Sequence, residues 1–115
     1  MLTHLVLLKP KVDLSPGDRQ AMLDALLAAA RAIPTVRALR IGQRLRHGAG
    51  YETAPPDTAD VLVAFDFDDL PGLQAYLVHP AHDVLARLFY ESQAAAAYDF
   101  ELVDPGPAAG ARDTR

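Results

Sequence analysis

Tyr76-Leu77-Val78-His79-Pro80-Ala81-His82 divides a helical region in two and sets three proton-carrying side chains around the division. Pro80 has no backbone N–H, and its ring pushes the preceding residue out of the α region. Proline is also favoured at the first position of a helix. One helix is therefore expected to end near Val78, with His79 in the bend. A second is expected to run from Pro80 to about Ala95. Tyr76 then lies in the last turn of the first helix and His82 in the first turn of the second. A bent pair aims both rings at one spot.

Upstream, Pro71 opens the first of these helices. Before it, Asp60 to Asp68 reads as a strand with Val61, Val63, Phe65 and Phe67 on one face. Asp66, Asp68 and Asp69 read as a strand end and a helix cap. Downstream, Tyr98, Phe100 and Leu102 alternate with Asp99 and Glu101 in a last strand.

The N-terminal half repeats the pattern. Leu2 to Lys9 is a strand that ends at Pro10, with Thr3, Leu5 and Leu7 on one face and His4, Val6 and Leu8 on the other. Ser15-Pro16-Gly17-Asp18 starts a helix: a cap, a proline in the first turn, an acid three residues on. Leu23, Leu26, Leu27, Ala30 and Ile33 make its apolar stripe, and Pro34 ends it. Val36 to Leu45 is a second strand. His47 to Thr58, with two glycines and two adjacent prolines, is one long loop.

The element order βαβ followed by βαβ predicts an α+β, ferredoxin-like four-stranded antiparallel sheet with helices on one face. Strands one and three are apolar on both faces, so the face without helices needs cover. A second copy of the chain, in a two-fold dimer, supplies it most simply. The folded domain is expected over residues 1–104, with 105–115 as a disordered tail of small and polar residues.

At 115 residues, half of them apolar and 23% charged, the chain has the composition of one soluble globular domain. A net charge of -4 argues against nucleic acid, whose phosphates demand a basic patch. With no cysteine there is no disulfide framework and no thiol nucleophile. The N-terminus lacks a basic segment and a cleavage site, and no apolar run approaches the ~20 residues of a membrane span. A cytoplasmic setting fits these features.

These residues resemble those of the stress-responsive dimeric α+β barrel family, often called Dabb, over roughly residues 2–103. The resemblance rests on Thr3-His4-Leu5-Val6-Leu7-Leu8-Lys9, on Phe65-Asp66-Phe67-Asp68-Asp69, on the Tyr76–His82 segment, and on Tyr98, Asp99 and Phe100. It implies a dimer in which two curved sheets form a barrel, each subunit having a cleft between sheet and helices. Within the family, the segment is most similar to that of plant polyketide cyclases of the olivetolic acid cyclase type. That similarity implies acid/base roles for Tyr76 and His82, with His4 beside the same pocket. The chain departs from those cyclases at Asp60, where they can carry a His, and in the Ala54-Pro55-Pro56 loop.

Read from the residues themselves, His82 shares a helix face with Leu85, Leu88 and Phe89, so its ring belongs to a core-facing stripe. Burial and the positive end of the helix both disfavour imidazolium, which leaves a neutral ring suited to a general base. The competing reading is a structural His82 that hydrogen-bonds the helix start or a strand. Tyr76 is an acid or oxyanion donor, or else a core-edge aromatic. His79 reads as a structural bend residue whose ring caps a helix or lies near the dimer surface. His4, a polar ring beside Val6 and Leu8, must find a partner. Val6, Leu85 and Phe89 are expected to line the pocket with it.

Arg40, Arg44 and Arg46 alternate on one strand face, where charge guards a solvated edge. His4, His79 and His82 are not aligned for a metal, so neither metal nor cofactor is expected. The expected function is binding of a small apolar, aromatic or carbonyl-bearing ligand. Three readings follow: cofactor-free acid/base catalysis of the cyclase, lyase or isomerase type, a non-catalytic stress-associated binder, and a cofactor-free monooxygenase. In the first, His82 takes the proton while Tyr76 and His4 steady an oxyanion.

Overall fold

The structure is a computed structural model that describes residues 1–10, 15–54 and 59–106. Its elements are β1 (Leu2–Pro10), α1 (Pro16–Ala32), β2 (Ala38–Gln43), β3 (Val61–Phe67), α2 (Leu70–Leu77), α3 (Pro80–Ser92) and β4 (Gln93–Glu101). The strands form one antiparallel sheet in the order β2-β3-β1-β4. The ferredoxin-like arrangement is therefore present.

β1 is central and paired along both edges, Leu2 to Phe67 and Glu101 at one end, Leu8 to Val61 and Ala95 at the other. Its alternation sorts the two faces. Val6 and Leu8 point to the helices, as do Val63, Phe65 and Phe67 of β3, and all five are buried. α1, capped by Ser15 through the Asp18 N–H, adds Met22, Leu26, Ala29 and Ile33 to this core. The stripe is rotated from the expected one. Leu27 is 44% exposed and Ala29 takes a core position instead. The helix is apolar on most sides, so its spacing alone does not choose the buried face, and the sheet does.

Two boundaries also differ from expectation. β2 is shorter than Val36 to Leu45, although single bonds continue the ladder beyond it, from the Arg37 N–H to Asp66 and from the Arg44 N–H to Asp60. The helix expected to reach Ala95 ends at Ser92, and β4 begins at Gln93 rather than near Tyr98. Alanines favour helix, but Lys9 pairs with Ala94 and Val6 with Ala97, so the long ladder on β1 overrides local propensity. The 47–58 loop holds one 3-10 turn, Gly50–Thr53. Glu52 ties it down by accepting the N–H groups of His47 (2.8 Å), Gly48 (3.2 Å) and Ala49 (3.2 Å). Pro55 and Pro56 of that loop, and residues 107–115 of the expected tail, lie outside the described residues.

The face away from the helices carries Leu5, Leu7, Leu62, Ala64, Tyr98 and Phe100, with Leu62, Tyr98 and Phe100 exposed. One charged cluster interrupts it. Thr3 Oγ1 donates to Asp66 at 2.8 Å, and Arg40 Nη2 donates to both Asp66 oxygens at 2.9 Å. Arg44 donates to the carbonyls of Ala59 and Glu52, and Arg46 approaches Asp60. The arginines of this region thus hold strands and loops together.

At the start of α2 the Asp69 carboxylate accepts the Gly72 N–H at 2.9 Å and caps an eight-residue helix. Asp69→Ala is expected to cost ~1 kcal/mol, lowering the thermal midpoint by roughly 4 °C for a domain this size. An unchanged midpoint by circular dichroism would show that α2 is held by packing alone.

Candidate functional site

Pro80 breaks the helical path as its chemistry demands. α2 ends at Leu77, Val78 is its C-cap, and α3 restarts at Pro80. His79 fills the bend. Its N–H bonds the Tyr76 carbonyl at 3.2 Å, its carbonyl accepts the His82 N–H at 2.9 Å, and its Nδ1 accepts the Ala81 N–H at 3.0 Å. His79 therefore caps α3 with its ring and is spent on structure.

The bend brings Tyr76 and His82 edge to face, with ring centroids 4.8 Å apart. On its other side Tyr76 meets His4 of β1 at 5.4 Å, Phe65 at 5.0 Å and Phe67 at 5.2 Å. Tyr76 is 1% exposed. Among the described residues, none forms a hydrogen bond with its hydroxyl. A buried phenol without a partner is uncommon, because leaving a polar group unbonded costs about 1–3 kcal/mol.

His4, also buried, has a partner that the sequence did not disclose. Its Nδ1 lies 2.6 Å from Asp99 Oδ1, across the β1–β4 pair that sets the two residues opposite one another. An ionised carboxylate only accepts, so the proton in this contact belongs to His4 Nδ1, and Nε2 is the nitrogen left to face the cluster. Asp99 is the residue that sequence reading missed. Its signal was its register with His4, which the sequence alone does not supply.

Electrostatics set the protonation of the group. Burial pushes the Tyr76 phenol well above the ordinary tyrosine value, and the Asp99 charge adds to the effect. Burial lowers the His82 imidazole, and neighbouring His4 lowers it further, against smaller opposing effects from Asp83 and the Leu77 backbone. Both shifts favour the uncharged forms, a protonated Tyr76 phenol and a neutral His82.

Of the remaining candidates, Val6, Leu85 and Phe89 are buried in the same core that receives Tyr76. A separate cavity of about 450 Å³ lies elsewhere, bounded by Leu7, Gly42, Arg44, Asp60 and Leu62. Leu7, Gly42 and Leu62 project from the face opposite His4, so this cavity is apart from the imidazoles. The cluster, which has the titrating groups, is the better candidate for chemistry.

The depressed His82 has a stability consequence. Its folded form binds a proton less readily than the unfolded chain, so protonation favours unfolding. Its contribution is complete above about pH 6.5 and is lost as pH falls below that, levelling off beneath the folded value. Histidine resonances followed by NMR against pH should show His82 titrating below the ordinary value, and His82→Ala should flatten that part of the stability curve. An ordinary titration midpoint would contradict the buried placement.

The profile of the stress responsive A/B barrel domain family matches residues 2–102. No match is found among curated protein sequences. Solved structures with the same fold include a hydroxynitrile lyase from Passiflora edulis, 15% identical, with 92% of this chain and 96% of that one covered and a TM-score of 0.78. An Arabidopsis thaliana protein is 17% identical over 93% of this chain and 100% of its own, with a TM-score of 0.77. A dimeric ferredoxin-like protein from Thermobifida fusca is 25% identical over 88% of this chain and 90% of its own, with a TM-score of 0.70. With nearly its whole described length matched, the chain belongs to the stress-responsive A/B barrel domain (Dabb) family.

Proposed function

We propose that this chain works as a homodimer that binds a small carbonyl-bearing ligand between sheet and helices, and moves a proton on it without a cofactor. The observation that carries the reading is the buried Tyr76 phenol, flanked by two imidazoles and bonded to no described residue. Such a hydroxyl suits a carbonyl oxygen that gains negative charge during reaction.

The His4–Asp99 pair changes the division of labour between the imidazoles. A proton acceptor is improved when a carboxylate fixes its tautomer and stabilises the cation it becomes. His4 has that carboxylate at 2.6 Å and offers Nε2. We therefore assign proton abstraction to His4, oxyanion stabilisation to Tyr76, and a supporting neutral hydrogen bond to His82. His82, whose affinity for protons is lowered by burial, is assigned the supporting role. The Passiflora edulis protein, described as a hydroxynitrile lyase, is consistent with lyase chemistry on this fold, though at 15% identity it speaks to the fold alone. The alternative of a plain binder is favoured by the tight packing of Tyr76 on Phe65 and Phe67.

Dimerisation rests on the apolar open face and on relatives described as dimeric. Sedimentation at micromolar concentration should give a dimer, and Leu62→Glu should shift it toward monomer. A monomeric native chain would contradict the assembly.

Proton transfer can be tested with acetophenone in D2O, reading deuterium incorporation at its methyl carbon by NMR. His4→Ala and Asp99→Asn should slow exchange by roughly 10²–10⁴-fold, and Tyr76→Phe by ~10²-fold, with His82→Ala milder. Binding without exchange above buffer would favour the plain binder.

A further inference from the structure

The sheet face away from the helices is built unevenly. Strand register sorts its side chains into rows that cross all four strands. Arg40, Ala64, Leu5 and Tyr98 make one row. On one side of it lie Ala38, Asp66, Thr3 and Phe100, and on the other Gly42, Leu62, Leu7 and Ala96. β2 and β4 are the two edges. The β4 edge stands up as an aromatic ridge, with Tyr98 and Phe100 half exposed and their ring centroids 6.3 Å apart. The β2 edge is low at Ala38 and Gly42, and Gly42 borders the cavity of about 450 Å³. Arg40 alone projects from that edge, its side chain 62% exposed. Its Nη2 serves Asp66, and among the described residues Nε and Nη1 bond none.

We infer that this face docks on a second copy of the chain about a two-fold axis parallel to the strands, with Arg40 of each copy seated on Tyr98 of the other. This rests on the proposed homodimer and fixes its geometry and its selectivity. Such an axis exchanges the edges and keeps the rows. The ridge of one copy then lies over the low edge of the other, Phe100 over Ala38, Tyr98 over Arg40 and Ala96 over Gly42. An axis across the strands keeps the edges instead. It sets ridge on ridge and Arg40 against Arg40, two like charges in a layer that is losing water. Closure also strips water from the Arg40 N–H groups that Asp66 does not use, and these need an acceptor. Thr3, Asp66 and Tyr98 are the side chains of this face that can accept. Thr3 and Asp66 are bonded to one another. That leaves Tyr98, whose hydroxyl accepts and whose ring face attracts a guanidinium. A chain of the same fold with an aliphatic residue at the Tyr98 position would bury Arg40 unmatched, so the contact favours self over related partners.

Dimers mixed from ¹³C-labelled and unlabelled full chain, read by isotope-filtered NOE, should show contacts between the Arg40 side chain and the Tyr98 ring across the interface. Contacts from Arg40 to Arg40, or a dimer with no Arg40–Tyr98 contact, overturn the inference and leave the homodimer standing. Tyr98→Leu keeps an apolar body at a half-exposed position. By sedimentation it should raise the dimer dissociation constant at least about tenfold, since two contacts to a charged group are lost per dimer. Arg40→Lys keeps the charge beside Asp66 and loses the planar fork. Added to Tyr98→Leu, it should weaken the dimer by less than it does alone. Full additivity of the two changes overturns the contact. If Tyr98→Leu folds poorly, the NOE measurement on the native chain decides. A monomeric native chain overturns the homodimer, and the inference with it.

Discussion

β1 is hydrogen-bonded along both edges and apolar on both faces, and the other elements take their places from it. With Leu2–Leu8 paired to β3 along one edge and to β4 along the other, the side chains of the strand have only two directions. Val6 and Leu8 fix the layer that α1, α2 and α3 must cover, while Leu5 and Leu7 fix an opposite layer that no described helix covers. His4 stands at a helix-facing position of the same alternation. Its polarity is tolerated there because β4 presents Asp99 directly across. The chemistry of the cluster thus depends on strand register: a slip of one residue between β1 and β4 would put His4 and Asp99 on opposite faces and part them.

β1, β3 and the break at Pro80 were legible in the sequence because each carries an unambiguous local signal. Val61, Val63, Phe65 and Phe67 alternate without interruption, and a proline has few alternatives. Tyr76 and His82 were therefore rightly placed on either side of one bend. α1 was located but not oriented, since Leu23 and Leu27 compete with Met22 and Ala29 for the same face. The sheet resolved that competition by accepting a small alanine where the helix lies close.

Asp99 was hidden for a different reason. In sequence it is one acid among alternating aromatics, 95 positions from its histidine. Pairing at that distance follows from topology and register together, and no local pattern encodes it. The same limit applies to Asp66, which reads as part of an acidic strand end yet is buried between Thr3 and Arg40. Both acids are long-range contacts, and both lie on the two neighbours of β1. Sequence reading finds residues that act through their own helix or turn, and misses those that act through a partner strand.

The passage from α3 into β4 has a kinetic meaning. Ser92 ends a helix and Gln93 begins a strand with no turn between, and the alanines that follow are intrinsically helical. Until β1 and β3 have assembled, nothing local tells Ala94–Ala97 to extend. β4 depends on a template from the far end of the chain, and such long-range pairing slows folding. Because Asp99 lies on that strand, the partner of His4 is in place only once β4 has paired with β1.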